Sequence, residues 1–125
     1  MSNESIVYVV QDPPPFYRDG VQVSKDLSSA QRYGVLKPIL SSRENASLMP
    51  GPVMQKFMRE LNNFNPIRDY IAFCGGDPLG LSLALLALRE LSIREVNFLR
   101  WERERSTEGS RTNSGFYVPT PIRLY

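Results

Sequence analysis

Apolar and turn-forming residues alternate most sharply between Asp69 and Trp101, where an apolar run, a glycine turn, a leucine-rich segment and a second apolar run follow in order. Tyr70-Ile71-Ala72-Phe73-Cys74 is too short for a helix and rich in β-branched and aromatic residues, which predicts a buried strand. Gly75 and Gly76 open backbone angles closed to other residues. Asp77 is placed to accept from the free amides of a first helical turn, and Pro78 suits the first helical position. From Leu79 to Leu91, leucine and alanine cover nearly every face, which predicts a core helix buried on most sides. A membrane span needs about 20 apolar residues; Arg89 and Glu90 end this run well short of that. Val96 to Trp101 predicts a second strand, and two strands joined by a helix of this length are parallel neighbours.

The flanking pattern adds further elements. Ser5 to Val10 predicts a first strand, stopped by Gln11-Asp12-Pro13-Pro14-Pro15. Pro13 to Gly20 reads as an extended, polyproline-like loop carrying Phe16, Tyr17 and Arg18. A short helix is expected through Leu27, Ala30 and Tyr33, capped by Ser24 or Asp26 and ended by Gly34. Val35 to Leu40 predicts a strand whose Pro38 demands an edge position. Ser41 to Gly51 reads as loop. From Pro52, the spacing of Val53, Met54, Phe57, Met58 and Leu61 predicts an amphipathic helix ending near Asn63. Ser106 to Gly115 is polar and reads as a solvated hairpin loop. It leads to a last strand, Phe116 to Tyr125, expected to break or bulge at Pro119 and Pro121 and to pair antiparallel at a sheet edge. The order β-α-β-α-β-α-β-β predicts one α/β domain over residues 1–125: three layers, a mostly parallel sheet, a βαβ core at about 69–101 and an antiparallel C-terminal edge strand.

Composition then narrows the chemistry. The chain has 125 residues, net charge +2, no histidine and one cysteine. Those absences exclude a Ser-His-Asp triad, an internal disulfide and the common zinc arrangements, so no cofactor or metal is expected. A charge so near neutrality does not mark a general nucleic-acid binder. The first residues lack a basic segment followed by an apolar run, and the expected location is cytosolic, host or microbial, rather than a secreted or membrane-bound state.

Three constellations are candidates for function. Gly75, Gly76, Asp77 and Ser82 carry the glycine spacing and terminal serine of a phosphate-binding loop, but Leu81 stands where the lysine belongs. Asp77 also puts a carboxylate where an anion would sit. Cys74, at a strand end, is either a small core residue or a nucleophile activated by the helix terminus. Arg100, Arg103, Arg105 and Arg111, with Trp101 and Tyr117 nearby, resemble a stacking and phosphate-binding face for single strands, although Glu95, Glu102, Glu104 and Glu108 nearly balance their charge.

Three segments together resemble a family of small, uncharacterised tailed-bacteriophage proteins: Leu27-Ser28-Ser29-Ala30-Gln31-Arg32-Tyr33-Gly34, the Asp69 to Pro78 strand and turn with its apolar helix, and Phe98-Leu99-Arg100-Trp101-Glu102-Arg103. That family has an Asp-Leu-Ser-x-Ala-x-x-Tyr-Gly-like segment, a strand ending in Gly-Asp-Pro, and a Leu-Lys-Trp-Asp-Arg-like strand. The chain departs from it by an extra glycine before Asp77, by Arg100 and Glu102, and by its Pro13 to Gly20 loop. The resemblance implies a viral origin and carries no mechanism.

With no complete catalytic set, the sequence is read as a non-enzymatic phage accessory protein. It would bind a host or phage protein, self-association included, through Phe16, Tyr17, Arg18, Arg100, Trp101, Arg103 and Arg105. A phosphate-handling enzyme built on the Gly75 to Asp77 loop is the alternative, and a single-stranded nucleic-acid binder the second.

Overall fold

The computed structural model describes residues 4–13, 16–23, 27–103 and 115–124, except the side chains of Phe16, Arg18, Gln22, Val23 and Arg103. The β-branched first run forms β1 (Ile6–Gln11). After the prolines comes a small hairpin, β2 (Phe16–Arg18) and β3 (Val21–Val23), then a 3-10 helix (Ser28–Tyr33) and β4 (Val35–Leu40). Helix α1 (Pro50–Glu60), β5 (Tyr70–Ala72), α2 (Pro78–Glu90), β6 (Glu95–Arg103) and β7 (Gly115–Arg123) complete the order.

Five strands make one sheet in the order β4-β1-β5-β6-β7. All neighbours are parallel except β6 and β7, which are antiparallel. This is the mostly parallel α/β sheet with an antiparallel edge strand that the sequence predicts, and β5-α2-β6 is its parallel crossover unit. The chain steps from β1 to β4 in one direction and from β4 to β5 to β6 in the other. Crossovers of one hand therefore place the 3-10 helix on one face and both α-helices on the opposite face. Side chains alternate accordingly. Tyr8, Val10, Ile71 and Val96 pack under α1 and α2 with Phe57, Leu61, Ala84 and Leu88. Val7, Val9, Ala72, Cys74 and Leu99 face the other way, toward Ala30 of the 3-10 helix and Tyr117.

Proline fixes the two edges. Val35 donates its amide to Ser5 at 2.9 Å, so by alternation Pro38 turns its missing donor outward from edge strand β4. Pairing of β6 with β7 runs unbroken from Glu95↔Arg123 to Arg103↔Gly115. The expected break at Pro119 and Pro121 does not occur, because a spacing of two turns both missing donors to the free side of the strand.

Other expectations are corrected. Of the expected extended loop, Pro14 and Pro15 lie outside the described residues, and Phe16 to Gly20 is not extended loop: Asp19 and Gly20 both have positive φ, 52° and 78°, the signature of a tight type I′ turn that folds Phe16 to Val23 into a hairpin. The short helix is 3-10, entered from Leu27 without a side-chain cap; Ser24 and Asp26, the expected caps, lie outside the described residues. Helix α1 starts at Pro50 rather than Pro52. The polar stretch Ser106 to Ser114, with Arg105, also lies outside the described residues. Asp69, fully buried, ties the start of β1 to the approach to β5: its Oδ1 accepts from the Ile6 amide at 3.0 Å and its Oδ2 from the Asn65 amide at 2.8 Å.

Candidate functional site

In a sheet of this strand order, ligands gather beyond the carboxyl ends of the first and third strands, here β1 and β5, where the winding reverses. Gln11 ends β1 there. It is buried; its Nε2 donates to the carbonyl oxygens of Ser41, at 3.0 Å, and Glu44, and its Oε1 accepts from the Asp77 amide at 3.4 Å. The carboxamide lies against Gly76, and a β-carbon on Gly75 would meet Pro13 at 3.7 Å. The reversal point is therefore filled by the chain's own groups.

Asp77 caps α2 as its sequence position predicts. Its Oδ1 accepts from the Leu79 amide at 3.0 Å, while its Oδ2 accepts from the Ser47 amide at 3.2 Å and from the Ser47 hydroxyl. The Ser47 hydroxyl first, and the Leu79 amide next, hold the Asp77 carboxyl below its ordinary range. The Gly80 amide bonds the Asp77 carbonyl at 2.9 Å. An anion arriving at this helix end would meet a carboxylate already holding the amides. Ser82 stands one turn on, exposed on the outer side of α2.

Cys74 is buried among the β-sheet residues facing the 3-10 helix, with Sγ 3.2 Å from Tyr117 Oη. The Tyr33 hydroxyl donates to the Tyr117 carbonyl at 2.9 Å, so β5, β7 and the 3-10 helix meet at this point. Among the described residues, no group of three or more Cys, Asp or Glu side chains is placed to hold a metal ion.

The arginine and tryptophan constellation does not share one face. Arg100 and Trp101 are neighbours on β6 and so point to opposite sides of the sheet. Arg100 pairs with Glu102 two residues along its own side, which answers its charge locally. Trp101 is packed edge-on against Tyr117, ring centres 4.9 Å apart, and covers Gly115. The backbone of Arg103 ends β6, and Arg105 lies outside the described residues.

The hairpin is different. It forms its own two-stranded sheet. Tyr17 is 72% exposed and Val21 63% exposed. Phe16 and Arg18 flank Tyr17 on the same strand. Sequence reasoning located these residues but missed the turn that presents them, although Asp19-Gly20 was the available signal. It also missed Gln11 and Ser47, whose roles depend on partners distant in the chain, and it buried Leu79 and Leu86, both of which are exposed.

A family model described as phage Pam3 gp32-like protein matches residues 5–108. No curated protein and no solved structure matches the chain.

Proposed function

The chain belongs to the phage Pam3 gp32-like protein family, and we propose that it is a non-enzymatic phage accessory protein that acts by binding a protein of the host or of the phage, in the virion or in host cytoplasm. One observation carries this reading: the Phe16 to Val23 hairpin stands as a separate sheet with Tyr17 and Val21 open to solvent. A tight turn and an adjoining proline limit the freedom of that ribbon, so ordering it against a partner costs less entropy than ordering a flexible loop. Tyrosine and arginine are residue types enriched where binding energy concentrates. Trp101 on β6 is the second aromatic contact assigned to binding; Arg100 points to the opposite side of the sheet, and Arg103 and Arg105 are further candidates from the sequence alone.

The test is the double substitution Phe16→Ala with Tyr17→Ala, followed by capture of partners from phage-infected host lysate. The expected result is a cooperative thermal transition like that of the parent and loss of the captured partner. Retained capture with an intact fold would place binding elsewhere. Phosphate contacts make log affinity fall steeply with log salt; a shallow salt dependence is expected, and a steep one would favour nucleic acid as the partner.

A further inference from the structure

Helix α2 has an outer face left uncovered among the described residues. It buries Gly80, Ala84, Ala87 and Leu88 against α1 and the sheet. On the other side Leu79, Ser82 and Leu86 are exposed and Leu83 half-buried, Leu86 to 49%. No charged residue occurs from Pro78 to Leu88. The neighbouring helix α1, in the same layer, is amphipathic in the ordinary way, with Gln55 and Arg59 exposed on its outer side. A helix apolar all round is stable in water when both sides are covered. The bond from Ser47 to Asp77 also brings Leu48, 79% exposed, near the amino end of α2.

We propose that this face is the seam of a homodimer in which two copies pair their α2 helices antiparallel, with the two-fold axis passing beside Ser82. The spacing of the strip supports a second copy as the occupant. Leu79 and Leu86 are seven residues apart, with Ser82 and Leu83 between them, so an antiparallel pair sets Leu79 against Leu86 of the other copy on both sides of the axis. The small Ser82 at the centre lets the helices approach.

Charge decides the direction. Asp77 ends the strip on one side and Arg89 on the other, and Arg89 makes no ion pair among the described residues. In the antiparallel register Arg89 falls beside Asp77 of the second copy, and the helix dipoles oppose. A parallel pair would set Asp77 against Asp77 and Arg89 against Arg89. Glu90 lies past the end of the second helix in the antiparallel register, in water. Self-association through added strands is disfavoured, because Pro38, Pro119 and Pro121 block both free edges of the sheet. The seam leaves the Phe16 to Val23 hairpin untouched and supplies two of them per particle, so a partner with repeated sites would be held by avidity.

Sedimentation of the full chain across the micromolar range tests the dimer, and Ser82→Cys tests its geometry. The expected result is a two-chain species, and an intermolecular disulfide through residue 82 on mild oxidation. Gln55→Cys, on the outer side of α1, is expected to give no such cross-link. Leu86→Glu should yield a single-chain species with unchanged circular dichroism, and Arg89→Asp should weaken the dimer at least tenfold. If Leu86→Glu fails to fold, Leu86→Ser carries the same comparison. A single-chain mass at every concentration overturns the proposal. So does a dimer that survives substitution of Leu86 and is not trapped through residue 82.

Discussion

The side chain of Gln11 occupies the space in which residue 76 would carry a β-carbon, so Gly76 is glycine for want of room as well as for its φ of 102°. Replacing it with alanine both strains the backbone and displaces a buried carboxamide that holds Ser41, Glu44 and Asp77 together. Gly76→Ala is expected to cost about 2–4 kcal/mol in a denaturant titration. Gly20→Ala, at φ 78° with open space around it, is expected to cost only about 1 kcal/mol. Equal losses at the two sites would show that the packing of Gln11 contributes nothing.

Acid should loosen the junction between α1 and α2. Bonds from Ser47 and Leu79 hold the Asp77 carboxyl below its ordinary range, and the Lys56 side chain, with the Ser41 amide, does the same for Glu44. A carboxyl whose folded pKa is depressed contributes stability that is complete above its unfolded pKa, about 4, and is lost as pH falls through the folded value. The melting temperature should therefore drop below about pH 4. In Ser47→Ala that acid loss should be smaller and the neutral-pH melting temperature already lower, by on the order of 5 °C. Parallel melting curves for parent and variant would count against the Asp77 bonds as the source.

Ser92 sits just past the end of α2 at φ 67°. The Ile93 amide reaches back to the Leu88 carbonyl at 2.9 Å and the Ser92 amide to the Arg89 carbonyl at 3.0 Å, a helix end that favours glycine at position 92. Ser92→Gly is expected to stabilise the protein by about 0.5–1 kcal/mol, read as a higher denaturation midpoint. A lower midpoint would mean that the serine side chain makes a contact worth more than the strain it imposes.

Cys74, buried beside Tyr117, should react slowly with a thiol reagent in the native protein and rapidly once denaturant is added. Burial blocks access and disfavours the thiolate. Stoichiometric labelling of the native protein within minutes would instead reopen a nucleophilic role for this thiol.

The readable parts of this fold were those that local chemistry decides. Gly75-Gly76-Asp77-Pro78 announces the start of α2 through residues that act on their own neighbours, and Pro38, Pro119 and Pro121 announce sheet edges because a missing donor is intolerable elsewhere. The hairpin was obscured by the prolines ahead of it, which suggest extended chain up to a turn whose Asp19-Gly20 signal points to a fold-back instead. Reading Pro119 and Pro121 as a break ignored their spacing, which sends both gaps to the same side. Alternation along β6 already separated Arg100 from Trp101. What no local pattern could supply was the set of long-range partners: Gln11 with Gly76, Ser47 with Asp77, and the uncovered side of α2, which is apolar like a core helix yet faces out.

The interior position of β1 has a consequence for how the protein is made. This strand leaves the ribosome ahead of both its neighbours in the sheet, β4, near Val35, and β5, near Tyr70. At the ordinary synthesis rate of about 5–20 residues per second, its second side waits several seconds for the strand that will cover it. Until that strand emerges, Ile6-Val7-Tyr8-Val9-Val10 is a short β-branched segment with no charge of its own and unpaired amides along at least one side, the composition most prone to pairing with another nascent chain. Yield in rapid overexpression should therefore be limited by capture of unfinished chains, and slowing translation or supplying a holding chaperone should raise the soluble fraction without any change in the stability of the finished protein.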